Sequence, residues 1–263
     1  MPSAWQRISG LIRQEFYLTR HRLEIILDTF FFPMMNVILF GYITSYIGTG
    51  GHVDGNYFIM GVLLWEVLVV MQYNVSVSSL WSMWSHNLTN IFIAPISVTE
   101  YLTAQVIAAG IRTLAVVGLL ATGTYLVFDF NILDLGALNL TLFTINLMIF
   151  ACSLGIALLG LVFRFGLRVQ AFSWYTVFMF QPLTAAFFPV TVLPGFLQAI
   201  AYCLPPTYVF EAARQALVEP TVNWQYTGMA LLLNALYLVL GLVLFRHFFR
   251  RSKEIGQFAR NDL

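Results

Sequence analysis

The chain has 263 residues, of which 59% are hydrophobic and 10% charged, against about 25% charged in a soluble domain. That balance excludes a soluble globular enzyme and describes a polytopic membrane protein with essentially no room for a soluble domain. A net charge of +1 argues for no nucleic-acid partner, and the two cysteines, Cys152 and Cys203, are too few for a disulfide framework.

Residues 3–22 come first. Ser3 and Gln6 have capping-box spacing, Trp5, Ile8, Ile12 and Phe16 recur at helical spacing, and Arg7, Arg13, Arg20 and Arg22 add positive charge. The pattern predicts an amphipathic helix in the membrane interface, its basic groups meeting anionic headgroups. The apolar run that follows a polar segment is too long for a cleavable signal. Span one is expected over Ile25–Ile47, with Asp28 close enough to its start to stay hydrated and Pro33 inside it. Span two covers Tyr57–Leu80, and Trp81 and Trp84 mark an interface. Residues 82–93 read as a short helix stopped before Pro95. Ser97 and Glu100 repeat the capping-box spacing and start span three, Val98–Phe128. Span four covers Ala137–Phe163, Arg164 and Arg168 flank a tight turn, span five covers Val169–Phe188 and is bent at Pro182, and span six covers Trp224–Phe249.

Between spans five and six, residues 181–220 hold six of the nine prolines. Interior proline removes a backbone donor and clashes with the preceding turn, so one continuous span is not expected there. Two short helices fit, Pro194–Cys203 and Pro206–Val218, the second announced by the Pro205–Pro206 pair. Glu211 and Arg214, three apart, can pair on one helix face. The segment 190–220 reads either as a re-entrant hairpin or as an amphipathic loop on the outer surface. We prefer the hairpin, because so apolar a broken backbone suits membrane depth where protein covers it. The predicted fold is all-α and forms a single transmembrane domain over residues 1–263. It has six transmembrane helices of about 20 residues, an N-terminal interfacial helix and the re-entrant hairpin.

Eleven of the thirteen Lys and Arg fall on one side of this topology. The positive-inside rule then places both termini in the cytoplasm, in a cell's inner (plasma) membrane, with segment 82–93 cytoplasmic and the hairpin outside. Glu66 and Arg112 lie mid-span at roughly matching depths and are expected to pair, as a clamp between helices or as part of a proton relay. No catalytic set emerges: the four His have no metal-ligand spacing, HExxH, GxSxG and CxxC are absent, and the only lysine, Lys253, has no glycine-rich loop. The chain is therefore expected to be no enzyme and to bind no cofactor itself. Tyr175, Phe180 and Phe187 are candidates to line a path for amphipathic cargo, with plain packing as the competing role.

Three stretches in this order resemble the membrane subunit of ABC-2 type ABC transporters: the amphipathic helix before span one, IFIAPISVTEYLTAQ at Ile91–Gln105, and FFPVTVLPGFLQAIAYCLPPTYVFEAARQAL at Phe187–Leu217. The resemblance implies a permease of an ATP-driven exporter, working as two membrane subunits, here a homodimer, with two separate cytoplasmic ATPase subunits that hold ATP and Mg. It implies that residues 82–93 are the coupling helix, contacting the ATPase through Trp84, His86, Asn87, Leu88 and Ile91. That loop departs from many relatives in having no charged residue before Glu100. The expected cargo is a lipid, a lipid-linked saccharide or a drug. A dedicated polysaccharide exporter and an ion-coupled secondary transporter using Glu66 are the alternatives.

Overall fold

The computed structural model describes residues 3–48, 55–84 and 94–254, and every regular element among them is helical. Helix α1 (Ala4–His21) starts at the capping box: Gln6 N–H donates to Ser3 Oγ at 3.3 Å and Ser3 N–H to Gln6 Oε1 at 2.8 Å. It ends at Arg22, whose backbone is extended. A short helix α2 (Leu23–Ile26), a π turn (Leu27–Phe31) and α3 (Phe32–Gly48) then follow without interruption. Pro33 accounts for the π turn. It has no N–H for the Thr29 carbonyl and its ring would crowd that carbonyl in an α-helix; the backbone bulges, and Phe32 N–H reaches Leu27 C=O instead.

Helix α4 (Gly55–Trp84) is the centre of the bundle. It is apolar all round, as a helix buried on every side must be, and Met60 through Met71 is almost wholly enclosed. Helix α5 (Val98–Phe128) starts at the second capping box, Ser97 and Glu100, and stops at Asp129, which takes the left-handed conformation at φ 55°. Helix α6 (Ala137–Phe165) ends at Gly166, whose φ of 65° and ψ of −152° suit glycine. A 3-10 turn (Gly166–Val169) leads into α7 (Gln170–Phe180). The Phe150 and Phe180 rings, on opposite sides of Gly166 in the chain, meet at 5.9 Å. The chain therefore folds back on itself at that glycine.

Turns and a 3-10 turn (Val190–Val192) connect α7 to α8 (Gly195–Ala201) and α9 (Pro205–Val218), and α10 (Trp224–Glu254) closes the described chain. Helices α6 and α10 pack with backbones almost touching. A Cβ on Gly160 would sit 2.7 Å from Phe245 Cα, and one on Gly241 would sit 2.5 Å from the Ser153 carbonyl. Asn234 Nδ2 ties the same pair by donating to Asn146 O and Oδ1 at 3.0 Å each.

Among the described residues five helical stretches are long and apolar enough to cross a membrane: Leu23–Tyr46, Asn56–Val77, Val98–Phe128, Ala137–Phe180 and Trp224–Glu254. The expected fourth and fifth spans thus appear as one helical run that turns back at Gly166. The expected Val169–Phe188 span is α-helical only over Gln170–Phe180, about 16 Å of rise. Pro182 supplies the reason, since it cannot donate the next helical bond.

Candidate functional site

Arg112 lies deep in α5 and is 3% exposed. Its Nη1 donates to Asn74 Oδ1 on α4 at 3.0 Å; its Nη2 donates to Glu15 Oε2 on α1 at 3.1 Å and to the Glu15 carbonyl at 2.7 Å. Gln105 Nε2, two turns earlier on α5, donates to Glu15 Oε1 at 3.0 Å. The Phe16 ring lies 5.6 Å from the guanidinium. Near the start of α5, Arg7 Nε donates to Glu100 Oε2 at 3.2 Å, with a second contact from Nη2. That carboxylate holds the Arg7 guanidinium above its ordinary pKa. Going from Arg7 to Glu15 along α1, the partners move from Glu100 to Arg112 along α5. The N-terminal helix is therefore docked on α5 through Leu11, Glu15 and Thr19, with Trp5 and Tyr17 left exposed beside that face.

The expected Glu66–Arg112 pair does not form. The residue level with Arg112 on α4 is Asn74, eight residues from Glu66, or about 12 Å along the helix. Glu66 instead accepts from Asn36 Nδ2 on α3 at 3.1 Å, and its Oε2 is buried with no partner among the described residues. Nor is Asp28 simply hydrated: the Tyr73 hydroxyl donates to its Oδ2 at 2.7 Å. Glu15, Tyr73, Asn74 and Arg112 close around a void of about 10 Å³. That is room for at most about one water, so the arrangement clamps helices and opens no wet path. Reading the sequence alone missed Glu15, although it is the one acidic residue in the arginine-rich stretch 3–22.

Of the proposed ATPase contacts, Trp84 ends α4, whereas His86, Asn87, Leu88 and Ile91 lie outside the described residues. The Trp84 ring packs edge-on against Trp81 at 4.6 Å, and the Arg22 guanidinium lies 5.2 Å over the Trp81 ring. On the other side of the segment, Glu100, a few residues after Ala94, holds Arg7. Segment 82–93 is thus bracketed by two contacts to α1 and its end.

At the opposite end of the bundle, α9 begins with Pro205 and Pro206 in its first turn, and Pro194 caps α8. Arg214 Nη2 donates to Glu211 Oε1 at 2.8 Å, and Arg214 Nη1 donates to the Ala185 carbonyl at 2.8 Å. Glu211 Oε1 also accepts from Val190 N–H at 2.8 Å. The pair thereby fixes the irregular stretch 185–190, in which Ala185 takes a φ of 54°. Thr184, Ala185 and Ala186 are fully buried, so this broken backbone is covered by protein. An open cleft of about 990 Å³ lies beside it, bordered by Tyr57, Phe188, Glu211, Arg214, Gln215 and Asn223. The three candidate path residues differ. Tyr175 is exposed on α7, Phe180 packs on Phe150, and Phe187 borders the cleft while its ring packs among Phe40, Phe58 and Trp65.

Among the described residues no three of His, Cys, Asp and Glu gather to hold a metal ion. The family model for the ABC-2 type transporter matches residues 6–218, from α1 to the last turn of α9. The chain belongs to the ABC-2 type transporter family. It is a multi-pass membrane protein with a permease role in transport, in a family whose membrane subunits are not themselves catalytic and generally pair with an ABC ATPase and dimerise. No individual characterised protein matches it.

Proposed function

We propose that this chain is the permease subunit of an ATP-driven exporter for an amphipathic cargo: a lipid, a lipid-linked saccharide or a drug. Two copies form the path, and two separate ATPase subunits bind ATP and Mg. The α1 end faces the cytoplasm in the cell's inner membrane, and the α8–α9 hairpin dips back from the outer side. We count six crossings, with the fold-back at Gly166 as the turn between the fourth and fifth and the short α7 continued by the turns after Phe180, where Thr184, Ala185 and Ala186 are buried.

The observation that carries this reading, beside the family match, is the bracketing of segment 82–93 by α1. An ATPase that moves this segment moves the end of α4 and the start of α5 together, and with them Arg7, Glu15 and Arg112. Closure of the ATPase pair then biases one of two bundle arrangements. Tyr175 on α7 and Phe187 at the outer cleft would meet the cargo, and Trp84, His86, Asn87, Leu88 and Ile91 would meet the ATPase.

The test is affinity purification of the tagged chain from its native membrane, with identification of the ATP-binding proteins that accompany it. A stoichiometric ABC-type ATPase is expected, and a combined Asn87→Arg and Leu88→Arg variant should lose it while the helices stay folded. Unchanged co-purification by that variant would remove segment 82–93 from the interface. Absence of any ATPase from the wild-type complex would favour an ion-coupled transporter built on Glu66, the buried carboxyl whose described partner is a single amide.

A further inference from the structure

Helices α5 and α6 are consecutive, yet they approach closely near one point. A Cβ on Gly110 would sit 3.3 Å from Met148 Cε. On either side of that pinch the helices part and leave an apolar cavity. The one towards α9 has about 880 Å³ and runs along Leu114–Tyr125 of α5. The one towards α1 has about 510 Å³, runs along Thr99–Ile107 and is backed by Leu238 and Leu242 of α10. Met148 borders both, and no charged side chain lines either among the described residues. The hydroxyls of Thr103, Thr122 and Thr141 are each turned back to a carbonyl of their own helix at 2.8 Å. Water would find few partners there.

We propose that this divided groove is an intramembrane lipid site that holds acyl chains of bulk phospholipid, one leaflet in each cavity, with Met148 as the partition. The lengths fit. The two α5 stretches rise about 12 and 16 Å, against about 15 Å for half a hydrocarbon core. Left empty, the lining would lose its dispersion partners over both cavities. A second copy of the chain fits poorly, because a straight helix would have to cross the Ile145 and Met148 side chains that border both pockets. Flexible acyl chains can enter each from its own leaflet. Bare backbone at Gly118, where a Cβ would meet nothing within 4 Å, gives a chain close access to α5, as small residues do at contacts in membranes.

The test is photolabelling in phosphatidylcholine nanodiscs that contain a phosphatidylcholine with a diazirine in its acyl chain, followed by mapping of the labelled residues. Label is expected along Leu114–Tyr125 and Thr99–Ile107 several-fold above the exposed face of α10 at Leu232, Leu236 and Val239, which reports ordinary annular lipid. Gly118→Phe, placed in open space, should lower labelling of the larger cavity several-fold and leave the smaller unchanged; Thr103→Phe should do the reverse. Equal labelling of the groove and the α10 face overturns the proposal, as does Gly118→Phe that folds and labels like wild type. A crosslink between two copies through this groove would assign it to dimer contact instead.

Discussion

Glu15–Arg112 and Glu211–Arg214 are both glutamate–arginine pairs, 3.1 Å and 2.8 Å long, the first midway along α5 and the second at the α8–α9 end of the bundle. The first joins residues far apart in the chain and draws three helices together: α1 by Glu15, α5 by Arg112 and α4 by Asn74. The second joins residues three apart on one helix, and its remaining hydrogen-bond capacity fixes a loop through Ala185 O and Val190 N–H. One pair decides which helices are neighbours; the other gives a non-repetitive stretch of backbone its shape. The first links whole elements across the fold. At the α8–α9 end the linkage is local, and a cleft remains beside it.

The largest expected effect tests the long-range pair. Arg112→Ala leaves Glu15 buried without its counter-charge and should cost about 3–5 kcal/mol, the usual penalty for breaking a buried pair from one side, read as a lower unfolding temperature in nanodiscs. Replacing both residues with leucine should recover most of that loss; a double variant as unstable as the single would deny that the cost lies in the orphaned carboxylate. At the other end, Glu211→Ala removes an acceptor shared by Arg214 and Val190. A loss of about 1.5–3 kcal/mol is expected, the range for hydrogen bonds to charged groups, with faster proteolysis confined to residues 185–190. Protection there equal to wild type would show that the loop holds its shape without the pair.

Gly166→Ala probes the fold-back between α6 and α7, where a positive φ with extended ψ, a region nearly confined to glycine, costs a residue with a Cβ about 1–3 kcal/mol. It should lower stability without releasing α1, which separates turn geometry from the polar clamp. Smallest is Ser3→Ala. Loss of the N-cap costs about 0.5–1 kcal/mol and should speed hydrogen exchange in the first turn of α1 alone. Fast exchange throughout α1 would mean that the helix is held by its own cap rather than by Glu15 and Arg7.

What could be read in advance was what residues a few positions apart decide. The capping boxes at Ser3 and Ser97, the proline-marked starts near Pro194 and Pro205, and the adjacency of Glu211 and Arg214 are all short-range patterns. The partner of Arg112 is not. Counting depth along two spans points to Glu66, but no local pattern says that α1 lies along α5, and that docking puts Glu15 in reach. The same holds for Asp28, whose hydroxyl partner comes from α4. The fifth span shows both at once: Pro182 marks where its helix breaks, but hydropathy continues to Phe188 and does not say that the α-helix ends at Phe180 instead of bending and going on.

The π turn at Leu27–Phe31 carries one residue more than an α turn would; it holds Asp28, bound to Tyr73, and is followed one turn later by Asn36, bound to Glu66. Returning it to α geometry while Asn36 keeps Glu66 would turn everything before it by about 100° and shift it by about 1.5 Å. Asp28 would leave Tyr73, and Arg22 would swing off Trp81. Because Pro33 disfavours that α geometry, the bulge is the setting the sequence selects, and it fixes which face of the lower half of the first membrane helix meets α4.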